Sequence, residues 1–150
     1  MATLRSMTAM MVAVIALCLG TALASAAEKV HRLALQISDN NAEKMTAVLN
    51  VAANVSKHYA EKGQSVEIRI VAFNAGLHML RVDTSPVKER VQNFAKSLPD
   101  VVFNACGNTI EGMARKEGKT PVIVPNATVV PAGVVTLMEL NEAGWTIIRP

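Results

Sequence analysis

Residues 30–37 (VHRLALQI) form a mostly apolar run of strand length, ended by Ser38, Asp39, Asn40 and Asn41, whose side chains suit a helix start. Met45, Val48, Leu49, Ala52, Val55 and Tyr59 then recur at helical spacing, with Asn40 and Glu43 spaced as a capping box and Gly63 just past the end. A second strand is expected over residues 66–73 (VEIRIVAF), closed by Asn74, Ala75 and Gly76. Ser85 and Pro86 open another helix, whose apolar Val87, Val91, Phe94, Ala95 and Leu98 share a face until Pro99 stops it. Residues 100–105 predict a third strand, and Gly107 and Asn108 lead into a short helical segment that runs to Gly118. The two prolines of residues 119–126 mark a loop. Residues 127–130 predict a buried fourth strand, 131–143 a helix ended by Gly144, and 145–148 a last strand.

Alternating strands and helices, with strands apolar throughout, imply a mostly parallel sheet covered on both faces. The expected fold class is therefore α/β: a flavodoxin-like three-layer sandwich around a five-stranded sheet. Ahead of it, residues 1–26 resemble an address. Arg5 gives a short positive region, residues 10–19 an apolar run too short to span a bilayer, and Ala24, Ser25 and Ala26 a small-x-small cleavage signal. The expectation is a signal peptide over 1–26, one domain over 27–150, and an exported, periplasmic protein without stable membrane insertion after cleavage. Residues 27–150 suffice for a single core.

Composition narrows the partners. Removing Arg5 takes Lys+Arg from 15 to 14 against 12 Asp+Glu, with the basic residues scattered, and the aromatics are only Phe73, Phe94, Phe103, Tyr59 and Trp145. No basic-aromatic surface of the kind that binds nucleic acid results. Loss of residues 1–26 would also remove Cys18, leaving Cys106 as a lone thiol that must be buried, paired between chains, or used.

In a sheet of this type ligands bind outside the carboxyl ends of the strands. Three polar loops belong there: residues 38–41, 74–81 and 106–109. Cys106 falls on that rim, where amide groups and a helix dipole favour a thiolate, while a buried cysteine acting as a small hydrophobe is the alternative. Gly107 would let a ligand or the sulfur approach the backbone. Asn108 and Glu111 have cap spacing, and a carboxylate at Glu111 in the first turn would weaken the field. Asn74, His78 and Arg81 follow the second strand, with Arg81 suited to an anionic sulfur compound; a solvated loop is the alternative for these residues. Asn108 and Thr109 complete the expected binding set around a catalytic Cys106.

Other chemistry finds no footing. His31 and His58 are isolated, and no His/Cys/Asp/Glu group has metal-ligand spacing. Gly118, Lys119 and Thr120 resemble the end of a phosphate-binding loop, but Met113 stands where its first glycine belongs. Neither G-x-S-x-G nor G-x-G-x-x-G occurs in the expected place, and no cofactor is implied.

The segments "VAFNAGLHML", "VVFNACGNTI" and "VVPAGVVTLMELNEAGWTIIRP" give residues 29–150 a resemblance to the DsrE/DsrF-like family, in particular its exported, uncharacterised branch. The resemblance implies a small α/β domain assembled as a trimer or hexamer, with a cysteine after the third strand that carries a persulfide between sulfur donor and acceptor proteins or small thiols. That role maps onto Cys106. A non-catalytic oligomeric module that binds a small ligand or a protein is the competing expectation.

Overall fold

The computed structural model describes residues 29–150; the expected signal peptide lies outside the described residues. Five strands, β1 (His31–Ile37), β2 (Val66–Ala72), β3 (Val101–Cys106), β4 (Ala127–Val130) and β5 (Thr146–Ile148), make one sheet in the order β4-β3-β2-β1-β5. Every pairing is parallel, from His31 opposite Val66 to Cys106 opposite Val130. Four helices join them: α1 (Ala42–Glu61), α2 (Lys88–Ser97), α3 (Gly107–Glu117) and α4 (Gly133–Glu142). The flavodoxin-like α/β expectation is met, and the sheet is parallel throughout.

Chain direction decides which helix covers which face. From β1 to β4 the strands are added in one direction, so right-handed crossovers put α1, α2 and α3 on a single face. The step from β4 back to β5 runs the other way and carries α4 to the opposite face. The packing agrees. Leu33, Leu35, Ile68, Ile70 and Phe103 meet Met45, Val48, Val91 and Phe94 in the larger core, whereas Ala34, Val71, Leu137 and Trp145 form a smaller one beneath α4. With one helix spread across it, the second face leaves Val134, Val135 and Met138 exposed.

Several local expectations shift. The cap of α1 is Asn41, not Asn40 with Glu43: Asn41 keeps an extended backbone and its side chain accepts from Lys44 N–H at 2.9 Å, because the helix starts one residue later than the pattern suggests. β4 is an edge strand with Thr128 and Val129 exposed, not a buried one, since it has a strand neighbour on only one side. Residues 74–80, expected as a polar loop, form a 3-10 helix (Asn74–Leu80) that buries Gly76, Leu77, Met79 and Leu80 against the larger core. Its sequence GLHML is apolar enough to close the top of that core. Cys106 belongs to β3 itself rather than to the loop after it.

Candidate functional site

After β3 the chain turns to one face of the sheet, and after β4 it turns to the other. This divergence is a topological switch point, and it opens a crevice between the ends of the two strands. Cys106 is the last residue of β3, and its register partner Val130 is the last of β4. The crevice is a cleft of ≈ 740 Å³ with Cys106, Asn74, His78, Thr109 and Gly133 in its lining. Among the described residues Cys106 is the free cysteine, 5% exposed at the cleft floor.

Two helices begin beside the sulfur, α3 at Gly107 and α4 at Gly133. Burial pushes the Cys106 thiol up. The Thr109 hydroxyl and the backbone N–H groups of Gly133, Thr109 and Asn108 more than offset it, holding the thiol below its ordinary value of 9.0. The Thr109 hydroxyl is itself oriented, because its oxygen accepts the Asn74 N–H at 3.0 Å and its own proton is left for the sulfur. Asn74 reaches that position with φ 49°, a left-handed conformation that asparagine tolerates better than most residues. Gly133 is needed for the approach of α4: a Cβ there would lie 3.1 Å from the Phe73 Cβ and 3.2 Å from the Cys106 Cβ.

The structure brings together five of the expected residues: Cys106, Asn74, His78, Asn108 and Thr109 all line the cleft. Nδ1 of His78 shares a 2.7 Å hydrogen bond with the Thr84 hydroxyl, which fixes the ring at the cleft wall. Gly107 does something other than admit a ligand. A Cβ on it would meet the Val130 and Pro131 carbonyl oxygens at 3.1 and 3.2 Å, so its bareness lets α3 pass the β4–α4 connection. Asn108 is the second residue of α3 and makes no cap; the flanking residue is Cys106, without a side-chain cap bond. The Asn108 N–H donates to the Pro131 carbonyl at 3.1 Å, so it serves the sulfur only as a shared donor, the smallest of the contributions that lower the thiol. Glu111 lies beyond the first turn and faces Arg115 at 3.8 Å, so it does not weaken the dipole at Cys106.

Arg81 is the main correction. It is outside the cleft lining, 4% exposed, and fully occupied. Its guanidinium donates to both oxygens of Asp83 at 2.9 and 2.8 Å, to both oxygens of Glu117 at 2.6 and 2.9 Å, and to the Met113 sulfur at 3.7 Å. These partners raise its pKa further, while Asp83 is lowered to about 2 and Glu117 is lowered from 4.5 by Arg81. Arg81 thus ties the end of the 3-10 helix to the last turn of α3. No donor is left for an anion in the cleft.

The cation that does line the cleft is Lys116, a residue that no local sequence pattern singles out. Its signal was the helical spacing 109, 112, 113, 116, which becomes readable once α3 is known to start at Gly107. Among the described residues no cluster of three His, Cys, Asp or Glu side chains is arranged to hold a metal, and no helix is long and apolar enough to cross a membrane.

No family model matches this chain, and no curated protein matches it. Among solved structures it is similar to MTH1491, a protein of unknown function from Methanobacterium thermoautotrophicum, at 25% identity and a TM-score of 0.67. The match covers 80% of this chain and 99% of that one. Fold and site together define an α/β protein with a hydrogen-bonded thiol at its sheet switch point.

Proposed function

We propose that the protein is an exported sulfur carrier of the DsrE/DsrF-like type in which Cys106 accepts a sulfane sulfur, holds it as a persulfide and hands it to another thiol. The observation that carries this reading is the Cys106 thiol on the floor of the switch-point cleft, below its ordinary pKa and surrounded by uncharged donors. The thiolate attacks the outer sulfur of a donor, a new S–S bond forms, the donor's own S–S bond breaks, and the shortened donor leaves with the electron pair. An acceptor thiolate repeats the attack on that outer sulfur and regenerates Cys106. The absence of a second cysteine among the described residues suits this cycle, because a neighbouring thiol would divert the persulfide into an internal disulfide.

The 5% exposure of Cys106 favours a second reading, in which the cleft binds a small ligand or protein segment without covalent chemistry. One experiment separates the two. Reduced protein incubated with inorganic polysulfide and weighed intact should gain about 32 Da per sulfur, on Cys106 and reversibly with reductant. No gain in the wild type, or an equal gain in Cys106→Ser, would leave only the binding module. We further propose that copies assemble as a trimer or hexamer through the edge of β4 and α4, where Val129, Val135 and Met138 are more than half or half exposed at 56%, 50% and 58%. A strict monomer by light scattering would refute this assembly.

A further inference from the structure

The cleft extends well beyond the sulfur. Thr109, Gly112, Met113 and Lys116 all line it, and on α3 they fall along one helix face. The cleft is therefore a groove laid along that face, starting at Cys106 and running roughly 10 Å from the level of Thr109 to that of Lys116, at about 1.5 Å per residue. Its ≈ 740 Å³ is far more than a short polysulfide fills.

Gly112 is the observation that points to an occupant. It sits inside α3, where glycine is a poor helix former, yet a Cβ there would meet only the end of the Arg115 side chain, at 3.9 Å. Neither packing nor backbone geometry calls for a glycine at this place, in contrast to Gly133. What the missing side chain does is keep the middle of the groove open. The far end has a definite charge. Glu117 also lines this end, but both its oxygens are turned to Arg81, which it shares with Asp83, whereas Lys116 has no ion-pair partner among the described residues and is the one cationic donor of that lining free to meet a carboxylate. Met113, its sulfur held by Arg81, supplies an apolar wall between the two ends.

We infer that the groove binds an extended thiol persulfide of tripeptide size that bears a carboxylate, with its sulfur at Cys106, its backbone over Gly112 and its carboxylate at Lys116. This rests on the reading of Cys106 as a sulfur acceptor and names the donor. The Cys106 thiolate attacks the outer sulfur of R–S–SH. The Cys106–sulfur bond forms, the bond from that sulfur to R–S breaks, and R–S⁻ leaves with the pair while the proton stays on the transferred sulfur. No external oxidant or reductant is required.

The test compares glutathione persulfide, its carboxylate-esterified form and inorganic polysulfide as donors to the full chain, reading the rate of mass gain. In Gly112→Leu the ratio of the glutathione persulfide rate to the polysulfide rate falls at least about tenfold, because the reacting sulfur can no longer be placed. In Lys116→Gln it falls about threefold, the size expected of an exposed ion pair, and esterification of the donor costs wild type the same factor and the variant nothing further. Ratios unchanged in both variants overturn the groove while leaving Cys106 as a carrier. If polysulfide itself adds no mass to the wild type, the carrier reading has failed, and calorimetry with S-methylglutathione decides the groove alone: binding that Gly112→Leu abolishes upholds it, and no binding to the wild type ends it. A melting temperature of Gly112→Leu at or above that of the wild type excludes misfolding as the cause.

Discussion

Two polar side chains are buried at the carboxyl rim of this sheet to almost the same extent, Cys106 at 5% exposure and Arg81 at 4%, and their surroundings treat them in opposite ways. Arg81 is neutralised. Two carboxylates face its guanidinium, and its hydrogen bonds close a loop between the 3-10 helix and α3. Cys106 is held without a counter-charge, by the Thr109 hydroxyl and the backbone N–H groups of Gly133 and Thr109, with a share of the Asn108 N–H that also serves Pro131. A satisfied ion pair resists exchange of partners, because parting it exposes charge in a poorly hydrated place. A thiol held by dipoles loses its proton more readily without acquiring a counter-charge, which is the condition the proposed sulfur transfer requires. Burial alone therefore does not separate a structural polar group from a reactive one; the charge of its partners does.

Removing the neutralised partner should have the largest effect. Arg81→Ala is expected to cost about 2–3 kcal/mol in urea unfolding, less than a fully enclosed pair, because Asp83 and Glu117 are half-exposed and regain water. The same cluster sets an acid limit. Asp83 and Glu117 have folded pKa values below their unfolded ones, so their contribution is complete above about pH 4.5 and is lost as pH falls towards about 2. The urea midpoint of the wild type should drop across that window and that of Arg81→Ala should drop less. Equal slopes would mean that the pairing does not stabilise the fold.

Gly133→Ala comes next. Its new Cβ presses on the Cβ atoms of Phe73 and Cys106, which are not free to swing away, so about 1–2 kcal/mol should be lost. Iodoacetamide labelling should also show a higher midpoint pH, since the Gly133 N–H is moved off the sulfur. A loss of stability with the labelling midpoint unchanged would separate α4 packing from thiol activation.

The smallest effect on stability, under about 1 kcal/mol, is expected from Thr109→Val, which keeps the shape but removes both the donor to the sulfur and the acceptor of the Asn74 N–H, the latter in an exposed place where water replaces it. Its consequence is for reactivity: the thiol should titrate higher than in the wild type, and labelling at neutral pH should slow. Because the folded thiol sits below 9.0, its stabilising contribution is present above that value and is lost as pH falls through the folded value. The Thr109→Val protein should therefore gain less stability than the wild type between neutral pH and pH 9. An unchanged labelling profile would sharpen the comparison in the other direction, by leaving the backbone N–H groups alone as the activating partners.

The order of strands and helices was legible from local patterns, and so was the position of Cys106 near the rim. Apolar spacing reports which side of its own element a residue occupies, and Gly63, Gly118 and Gly144, all at positive φ, punctuate the helices in the way their sequence positions suggest. The partners of each rim residue were not legible, because they come from segments far apart in the chain. Asn74 meets Thr109 across 35 positions and Arg81 meets Glu117 across 36, contacts that exist only because β2 and β3 lie side by side and α3 folds back along the 3-10 helix. A positive residue after a strand reads the same whether it will face a ligand or two carboxylates, so local pattern points to Arg81 and does not single out Lys116. By itself the sequence determined the five strands and four α-helices in order and put the Cys106 thiol at their edge. Tertiary structure decided which charges cancel and which remain open, because that depends on strand order and on the reversal after β4, which bring distant side chains within hydrogen-bonding distance.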